Sequence, residues 1–142
     1  MCCYNRPYDD QTQARIRLEA DAKMLIQQKI KTRECALLWS STLDFELSNN
    51  PFEDHRLAIA KWRPMAEKVV MATHNVIEKA HEFARQGLRN YDALHLASAQ
   101  AGEADVFVTT DDRLYKKTRG NVMPTVMVPG EALAFLEKWY ED

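Results

Sequence analysis

Apolar and polar residues recur along this chain with helical and strand-like spacing in turn, and the pattern predicts helices alternating with short strands. The first helix is predicted over 10–31, with Asp10 as its N-cap, because apolar residues fall on or near one face of that stretch. Those apolar residues are Ile16, Ala20, Met24 and Ile30. Further helices are predicted at 42–50, 53–62, 74–86, 91–101 and from Glu131 onward.

Short apolar runs between the helices predict the strands, which fall at 34–41, 105–110 and 125–129. The run at 68–73 fits either a strand or a helical continuation, because its periodicity suits both. The residues expected to end helices are Asn49, Asn50, Pro51, Pro64 and Gly87. The alternation predicts one α/β domain over residues 1–142 with a mostly parallel sheet.

Composition narrows the class of protein. With 142 residues, of which 46% are hydrophobic and 28% charged, the chain suits one globular domain. The net charge of −2 gives no overall basic field, although local lysines and arginines can still line a groove. No apolar run approaches the roughly 18 residues of a membrane span. The start "MCCYNRPYDD" lacks the apolar core of a secretion signal, so we expect a cytoplasmic protein with reduced cysteines.

Three acidic residues are predicted to meet at one edge of the sheet. Glu46 follows the first predicted strand, Asp92 lies in the first turn of a helix, and Asp111 directly follows the strand at 105–110. In a parallel α/β sheet, strands end and the following helices begin at the same edge. Clustered carboxylates need a cation, and oxygen ligands without cysteine suit Mg²⁺ or Mn²⁺. We therefore expect these carboxylates within about 4–8 Å of one another around a shared ion.

Each acid also has a simpler interpretation. Asp92 can favour the positive end of a helix dipole, Asp111 can be an N-cap, and Glu46 can be a solvated helix residue. Asp112 is expected to be an exposed neighbour or a supporting residue. Thr109 and Thr110 can orient the acids through their hydroxyls, although β-propensity alone also explains two threonines in a strand.

The sequence gives less support to other kinds of active site. His55, His74, His81 and His95 show no zinc-ligand spacing, and His95 is expected to pack or lie on the surface. No nucleophile elbow surrounds Ser40 and Ser41, and no phosphate-binding glycine loop is present. Basic residues form either a phosphate track or an ordinary solvated surface. They are Arg6, Arg56, Lys61, Arg63, Arg89, Arg113, Lys116 and Lys117.

The segments "YDALHLASA" and "VFVTTDDRL" resemble the paired C-terminal motifs of PIN domains. "SSTLDFELSNNP" resembles the segment that carries the family's Glu, and "CCYNRPYDDQTQARIRLEA" resembles the first loop and helix of a bacterial subgroup. The resemblance implies a three-layer α/β/α nuclease with four acids around Mg²⁺ or Mn²⁺, often an RNA-cleaving VapC-type toxin with an antitoxin. It makes Glu46, Asp92 and Asp111 three of those acids and Asp112 an extra candidate.

The resemblance also places the family's first strand and its Asp ahead of Met1, so both are expected to be missing from this sequence. Either the start is assigned too far downstream, or the chain is a truncated relative. Asp9 and Asp10 come too late to replace that acid and are expected to cap or to lie on the surface. Loss of a central strand would leave strand edges that another chain can fill. Loss of its Asp would leave the metal site one ligand short, so little or no RNA cleavage is expected of residues 1–142.

Three functions follow from the residues and the resemblance. The first is a PIN-like metal-dependent endoribonuclease, expected to form a dimer, with RNA as substrate, an antitoxin as partner and no membrane association. The second is a catalytically inactive PIN-like module that binds protein or RNA. The third is a Mg²⁺-dependent phosphatase on another α/β scaffold. RNA cleavage in Mn²⁺ separates the first from the second, and turnover of a small phosphomonoester would favour the third.

Overall fold

Helices and short strands alternate along the chain. A computed structural model describes residues 2–8, 13–120 and 122–140. The helices are α1 (Cys2–Asn5), α2 (Ala14–Lys31), α3 (Ser41–Ser48), α4 (Glu53–Ala60), α5 (His74–Arg85), α6 (Asn90–Ala101), α7 (Asp112–Thr118) and α8 (Pro129–Glu137). The strands are β1 (Leu38–Ser40), β2 (Lys68–Val70), β3 (Val106–Val108) and β4 (Thr125–Met127). The α/β class predicted from the sequence is confirmed.

The strands form two parallel pairs. In the first, Trp39 of β1 lies opposite Val69 of β2, and in the second Phe107 of β3 lies opposite Val126 of β4. Over the described ranges these pairs are separate two-stranded sheets. The single sheet expected from the sequence is therefore divided between β1 and β3. Helices rather than backbone hydrogen bonds hold the two halves together.

Two buried clusters form the core. The larger lies between α5, α6, α7 and β4, and consists of Val76, Ala80, Phe83, Leu88, Ala93, Leu96, Ala97, Leu114 and Val126. The smaller lies between β1, α3 and α4, and consists of Trp39, Leu47 and Ile59. None of the helices in the described ranges is long and apolar enough to cross a membrane.

The ambiguous run at 68–73 is a strand over Lys68–Val70, where it pairs with β1. The other strands are shorter than predicted, because only three residues of each run pair with the neighbouring strand. The run 34–41, for example, contributes only Leu38–Ser40. The helix predicted at 53–62 ends at Ala60, and a 3₁₀ turn at Arg63–Met65 takes up Pro64.

The amino-terminal part differs most from the expectation. Asp9 and Asp10, expected to cap or to lie on the surface, fall outside the described residues. The long helix begins at Ala14, with Gln13 in the N-cap position and an extended backbone there. The short helix α1 was not predicted, because four residues are too few to show a helical period.

Helix α6 lies very close to the first strand pair at its carboxyl end. A Cβ atom on Gly102 would stand 2.6 Å and 2.8 Å from the Leu38 methyls and 2.8 Å from Val70 Cγ2. A side chain at this position would force the methyl groups of Leu38 and Val70 to move. A glycine at this position therefore fixes how close α6 lies to the sheet.

We expect Gly102→Ala to lower the free energy of unfolding by about 1–3 kcal/mol, the usual cost of overpacking a tight contact. Gly130→Ala is the matched control, since its added Cβ would meet nothing within 4 Å. The control should be neutral or stabilising by about 0.4–1 kcal/mol. Urea unfolding of both variants makes the comparison. Equal stability of the two variants would contradict the close approach at Gly102.

Candidate functional site

The first strand and the helix after it position Glu46. Ser40 ends β1 and caps α3, its hydroxyl accepting a hydrogen bond from the Leu43 backbone N–H at 3.2 Å. Trp39 is fully buried, and its Nε1 donates to Asp44 in the first turn of α3 at 2.8 Å. These bonds fix the start of α3, so Glu46 stands at the carboxyl edge, as its position in the sequence predicted.

Glu46 contacts His95 of α6 through Oε1 and Nε2. The Glu46 side chain is 20% exposed and that of His95 9%. Burial alone would raise the pKa of the Glu46 carboxyl, but the hydrogen bond with His95 acts against burial, and the pKa is lowered. Glu46 is therefore not the freely solvated residue of the simpler interpretation, and His95 belongs to the site.

Asp92 stands on the same side of α6 as His95. Asp92 is half-buried in the first turn, three residues before His95, and residues at that spacing share a helix face. The start of α6 is also tied to α3 by the stacked rings of Phe45 and Tyr91, whose centroids are 6.2 Å apart. The structure thus brings α3 and the amino end of α6 together.

Asp111 follows β3 and caps α7. Its Oδ1 accepts hydrogen bonds from the backbone N–H groups of Arg113 at 2.9 Å and Leu114 at 3.3 Å. The buried Thr109 hydroxyl accepts from the Asp111 backbone N–H at 3.1 Å, so that threonine positions the acid's main chain. The capping role in the simpler interpretation is confirmed, and it leaves Asp111 at the carboxyl end of β3.

Asp112 is directed toward α2. Its two oxygens accept from Arg15 at 2.5 Å and 2.7 Å, and this bond lowers the pKa of the Asp112 carboxyl. Arg15 and Arg6 both lie 3.4 Å from Glu19, and Arg6 also donates to the carbonyl of Thr110 at 3.5 Å. An ion-pair network therefore surrounds Asp112 and Thr110, the two residues expected to support the site.

The positions and contacts of the described acids show whether they could bind a metal ion together. Among residues 2–8, 13–120 and 122–140, no three His, Cys, Asp or Glu side chains form a group that could hold a metal ion. Glu46 is engaged by His95, and Asp111 by the α7 backbone. The described side chains alone do not make a complete metal-binding group, and the convergence of Glu46, Asp92 and Asp111 within about 4–8 Å around one ion stays a prediction.

Several of the basic residues considered for a phosphate track have other contacts. Arg63 bonds to Asp44 at 3.0 Å, Arg6 pairs with Glu19, and Lys117 donates to the carbonyl of Gly87 at 2.5 Å. Arg89, at the start of α6, and Arg113, after Asp111, are exposed. These two arginines flank the acids most directly.

A family model described as PIN domain matches residues 48–120, slightly more than half of the chain. The chain therefore belongs to the PIN domain family. The matched region contains Asp92, His95 and Asp111, and it begins just after Glu46. No curated protein and no solved structure matches the chain. Membership indicates a nuclease-type function, and PIN domains in general bind RNA and depend on divalent metal ions.

We expect Glu46→Gln to lower the free energy of unfolding by about 1–3 kcal/mol at pH 6, because the mutation removes the charged partner of His95. A carboxyl whose pKa is lowered by folding stabilises the protein above its unfolded-state pKa, about 4.3, and loses that contribution as the pH falls through the folded-state value. The difference between wild type and variant should therefore shrink between pH 5 and pH 3 in urea unfolding.

Glu78→Gln is the matched control. Glu78 also contacts a histidine, His74 at 3.0 Å, but the two side chains are 63% and 83% exposed. Exposed helix pairs of this kind contribute only about 0.3–0.5 kcal/mol. An effect of Glu46→Gln no larger than that of the control, or one independent of pH, would contradict a structural role for the Glu46–His95 contact.

Proposed function

We propose that this PIN-family chain is a divalent-metal-dependent endoribonuclease of the toxin–antitoxin type, acting in the cytoplasm. Family membership supports the nuclease class. The Glu46–His95 contact is the main observation that supports the proposed site. It joins α3 to the face of α6 on which Asp92 lies one turn before His95.

The proposed metal-binding and catalytic residues are Glu46, Asp92 and Asp111, with Thr110 and Asp112 in support. Glu46 and Asp111 follow parallel strands, and Asp92 lies in the first turn of α6, the helix that leads into β3. Their donor atoms are carboxylate oxygens, which suit Mg²⁺ or Mn²⁺. Such an ion, when bound, activates water and stabilises charge on a phosphodiester.

Metal affinity should be low in the arrangement described above. Glu46 is held by His95 through Oε1, so it can offer an ion only its other oxygen, Oε2, unless that hydrogen bond is given up. Asp111 keeps its capping bonds through Oδ1 in either case. We therefore propose weak ion binding, carried mainly by Asp92 and Asp111, and correspondingly slow RNA cleavage.

RNA would approach over the edge that carries Asp92 and Asp111. Arg89 and Arg113 are exposed beside these acids and offer guanidinium groups for phosphates on either side of the scissile bond. Charge contacts of this kind bind the backbone without reading sequence. This arrangement supports an RNA substrate held through its phosphates.

Self-association into a dimer and inhibition by an antitoxin are also part of the proposal. Helix α2 exposes Leu18, Met24 and Leu25, with relative exposures of 68%, 58% and 47%. Apolar side chains that remain exposed on one helix suit a protein–protein contact. They support a partner at α2, on an element distinct from those that carry the three acids.

A second candidate function is a catalytically inactive PIN-like module that binds RNA or protein. The same contacts favour it, because Glu46 and Asp111 already have structural partners in His95 and the α7 backbone. In such a module the acids would stabilise the fold rather than hold an ion. Metal binding separates the two candidates.

We expect Mn²⁺ to raise the thermal unfolding temperature of the wild-type protein slightly, and Asp92→Asn to lose most of that gain. Without the ion, Asp92→Asn should change stability by less than about 1 kcal/mol, because relief of carboxylate repulsion offsets the lost helix-dipole interaction. Asp105→Asn is the control, since Asp105 is exposed at the opposite edge, before β3. A full Mn²⁺ response in Asp92→Asn would remove Asp92 from the site.

A fluorogenic RNA assay tests the activity itself. We expect slow cleavage that requires Mn²⁺ and falls at least about tenfold further in Asp92→Asn and in Asp111→Asn. Asn is as good an N-cap as Asp, so the second variant keeps the start of α7. Asp112→Asn is the control, because Asp112 pairs with Arg15 and its loss should have a smaller effect.

The outcomes of this assay separate the candidates. Metal-dependent cleavage that both Asn variants abolish supports the nuclease. RNA binding without cleavage supports the inactive module. Turnover of a small phosphomonoester in place of RNA would contradict both and favour a phosphatase.

A further inference from the structure

Two aromatic rings stack on one another at the surface, where α3 contacts α6. The rings of Phe45 and Tyr91 have centroids 6.2 Å apart and planes inclined by 29°. Their relative exposures are 57% and 43%, and within the described ranges neither residue belongs to a buried cluster. Single exposed apolar residues are common, but two stacked rings form a larger π-surface in one place. We call this pair the aromatic platform.

The aromatic platform borders the acids of the candidate site. Phe45 directly precedes Glu46 in α3, and Tyr91 directly precedes Asp92 in α6. Tyr91 and His95 are four residues apart, so they lie on the same face of α6 and about 6 Å apart along the helix. The ring stack and the Glu46–His95 contact are therefore successive contacts of one interface between α3 and α6. The ring stack is nearer the amino end of α6 and more exposed, so it lies on the outer side of that contact.

The loop after β2 reaches the same part of α3. The Ala72 backbone N–H donates a hydrogen bond to Ser41 Oγ at 3.0 Å, and Ser41 lies one turn before Phe45 on the same face of α3. Met71, next to Ala72, is 59% exposed. Methionine is polarisable and contacts aromatic rings favourably. The loop therefore adds an exposed side chain near the platform that suits a flat ring.

A cationic side chain stands beside the platform. Arg89 occupies the N-cap position of α6, two residues before Tyr91, and it is exposed. Arginine binds phosphate oxygens through its planar guanidinium group, and bases of RNA stack on exposed aromatic rings. An apolar peptide would use the rings but would gain nothing from the arginine. Stacked rings, an arginine and the neighbouring acids together suit one nucleotide and its phosphates.

We propose that the aromatic platform binds one nucleobase of the RNA, next to the phosphodiester that lies at Asp92. The base stacks on Phe45 and Tyr91, and Arg89 contacts a phosphate of the same strand. This inference rests on the function proposed above and adds to it the residues that position the substrate. Base–aromatic stacking raises affinity by about fivefold to a hundredfold per base, and every base has a π-face that can stack. The platform therefore selects a base that is free to stack, without reading its identity.

A short synthetic RNA with a single base tests this proposal. The probe is a pentaribonucleotide whose central residue carries 2-aminopurine and whose other four residues are abasic. Its control is a fully abasic pentaribonucleotide with the same phosphate charges. Binding is measured by calorimetry in Ca²⁺, which takes carboxylate ligands as Mn²⁺ does and neutralises the acids. The fluorescence of 2-aminopurine, which stacking quenches, reports directly on the base.

Wild-type protein should bind the probe at least about fivefold more tightly than the abasic control, and should quench its fluorescence at least about twofold. Phe45→Leu and Tyr91→Leu keep an apolar side chain but remove a ring, so each should lose most of the preference and the quenching. Phe45→Trp should keep both. Phe52→Leu is the matched control, since Phe52 is 60% exposed and its ring contacts His55 instead of the platform. The control should behave as wild type.

The cleavage assay gives a second measure of the platform. An interaction that is equally strong in the ground state and the transition state changes KM and leaves kcat unchanged. Phe45→Leu should therefore raise the KM for RNA at least about fivefold and leave kcat within about twofold. A substitution that only disturbed α3 or α6 would lower kcat as well, because Glu46 and Asp92 would move.

The proposal is overturned if the wild type binds both oligonucleotides equally or binds neither, if Phe45→Leu keeps the preference, or if Phe52→Leu loses it to the same extent. A change in self-association of Phe45→Leu without a change in base preference would also overturn it, since the rings would then form a contact between copies. Base preference without any RNA cleavage supports the platform and counts against the proposed nuclease. Cleavage without base preference overturns the platform alone.

Discussion

The close approach of α6 to the first strand pair positions the candidate site. Gly102 leaves room for the methyl groups of Leu38 and Val70, so the carboxyl end of α6 lies directly on β1 and β2. With that end fixed, the amino end of the helix carries Asp92 and His95 past α3. Contact between His95 and Glu46 then links the helix after β1 to the helix before β3. A bulkier residue at position 102 would disturb the packing between α6 and the first strand pair.

Glu46 and Asp111 stabilise the fold, and they are also the residues proposed to bind a metal ion. In the metal-free fold, Glu46 and Asp111 satisfy a histidine and a helix terminus, and both bonds add stability. An ion at this edge would find one oxygen of each of these acids already engaged, so fewer oxygens are free to bind it. The same contacts therefore stabilise the chain and limit its affinity for a metal. Among its described residues, this PIN-family chain has no group of three His, Cys, Asp or Glu side chains that could hold a metal ion.

The divided sheet is the other main feature of the molecule. The strand pairs are short, and a cavity lined by β1, β3, α2 and α6 lies between them. Two buried atoms beside it, Ser98 Oγ and Gln27 Nε2, have no hydrogen-bond partner in the described structure, which costs stability. The cavity and the candidate site meet at His95, which contacts Glu46 and also lines the cavity.

Local features of the fold could be predicted from the sequence, and contacts between distant segments could not. The helix at His74–Arg85 was found from its period and from Gly87, and the capping role of Asp111 from its place after a strand. The predicted strands were too long, because a run of apolar residues looks the same in the sequence whether or not its backbone pairs with another strand. His95 was assigned to packing or to the surface, because its partner is 49 residues away in the sequence. The Arg15–Asp112 pair, 97 residues apart, was missed for the same reason.

The central claim is that Glu46, Asp92 and Asp111 share one divalent ion at the carboxyl edge of the strands. Paramagnetic broadening of backbone amide signals by substoichiometric Mn²⁺ tests it most directly, because the effect falls steeply with distance from the ion. Selective broadening is expected around all three acids, with the amides near Asp105 at the opposite edge unaffected. Broadening confined to another surface, or spread evenly over the exposed carboxylates, would contradict it.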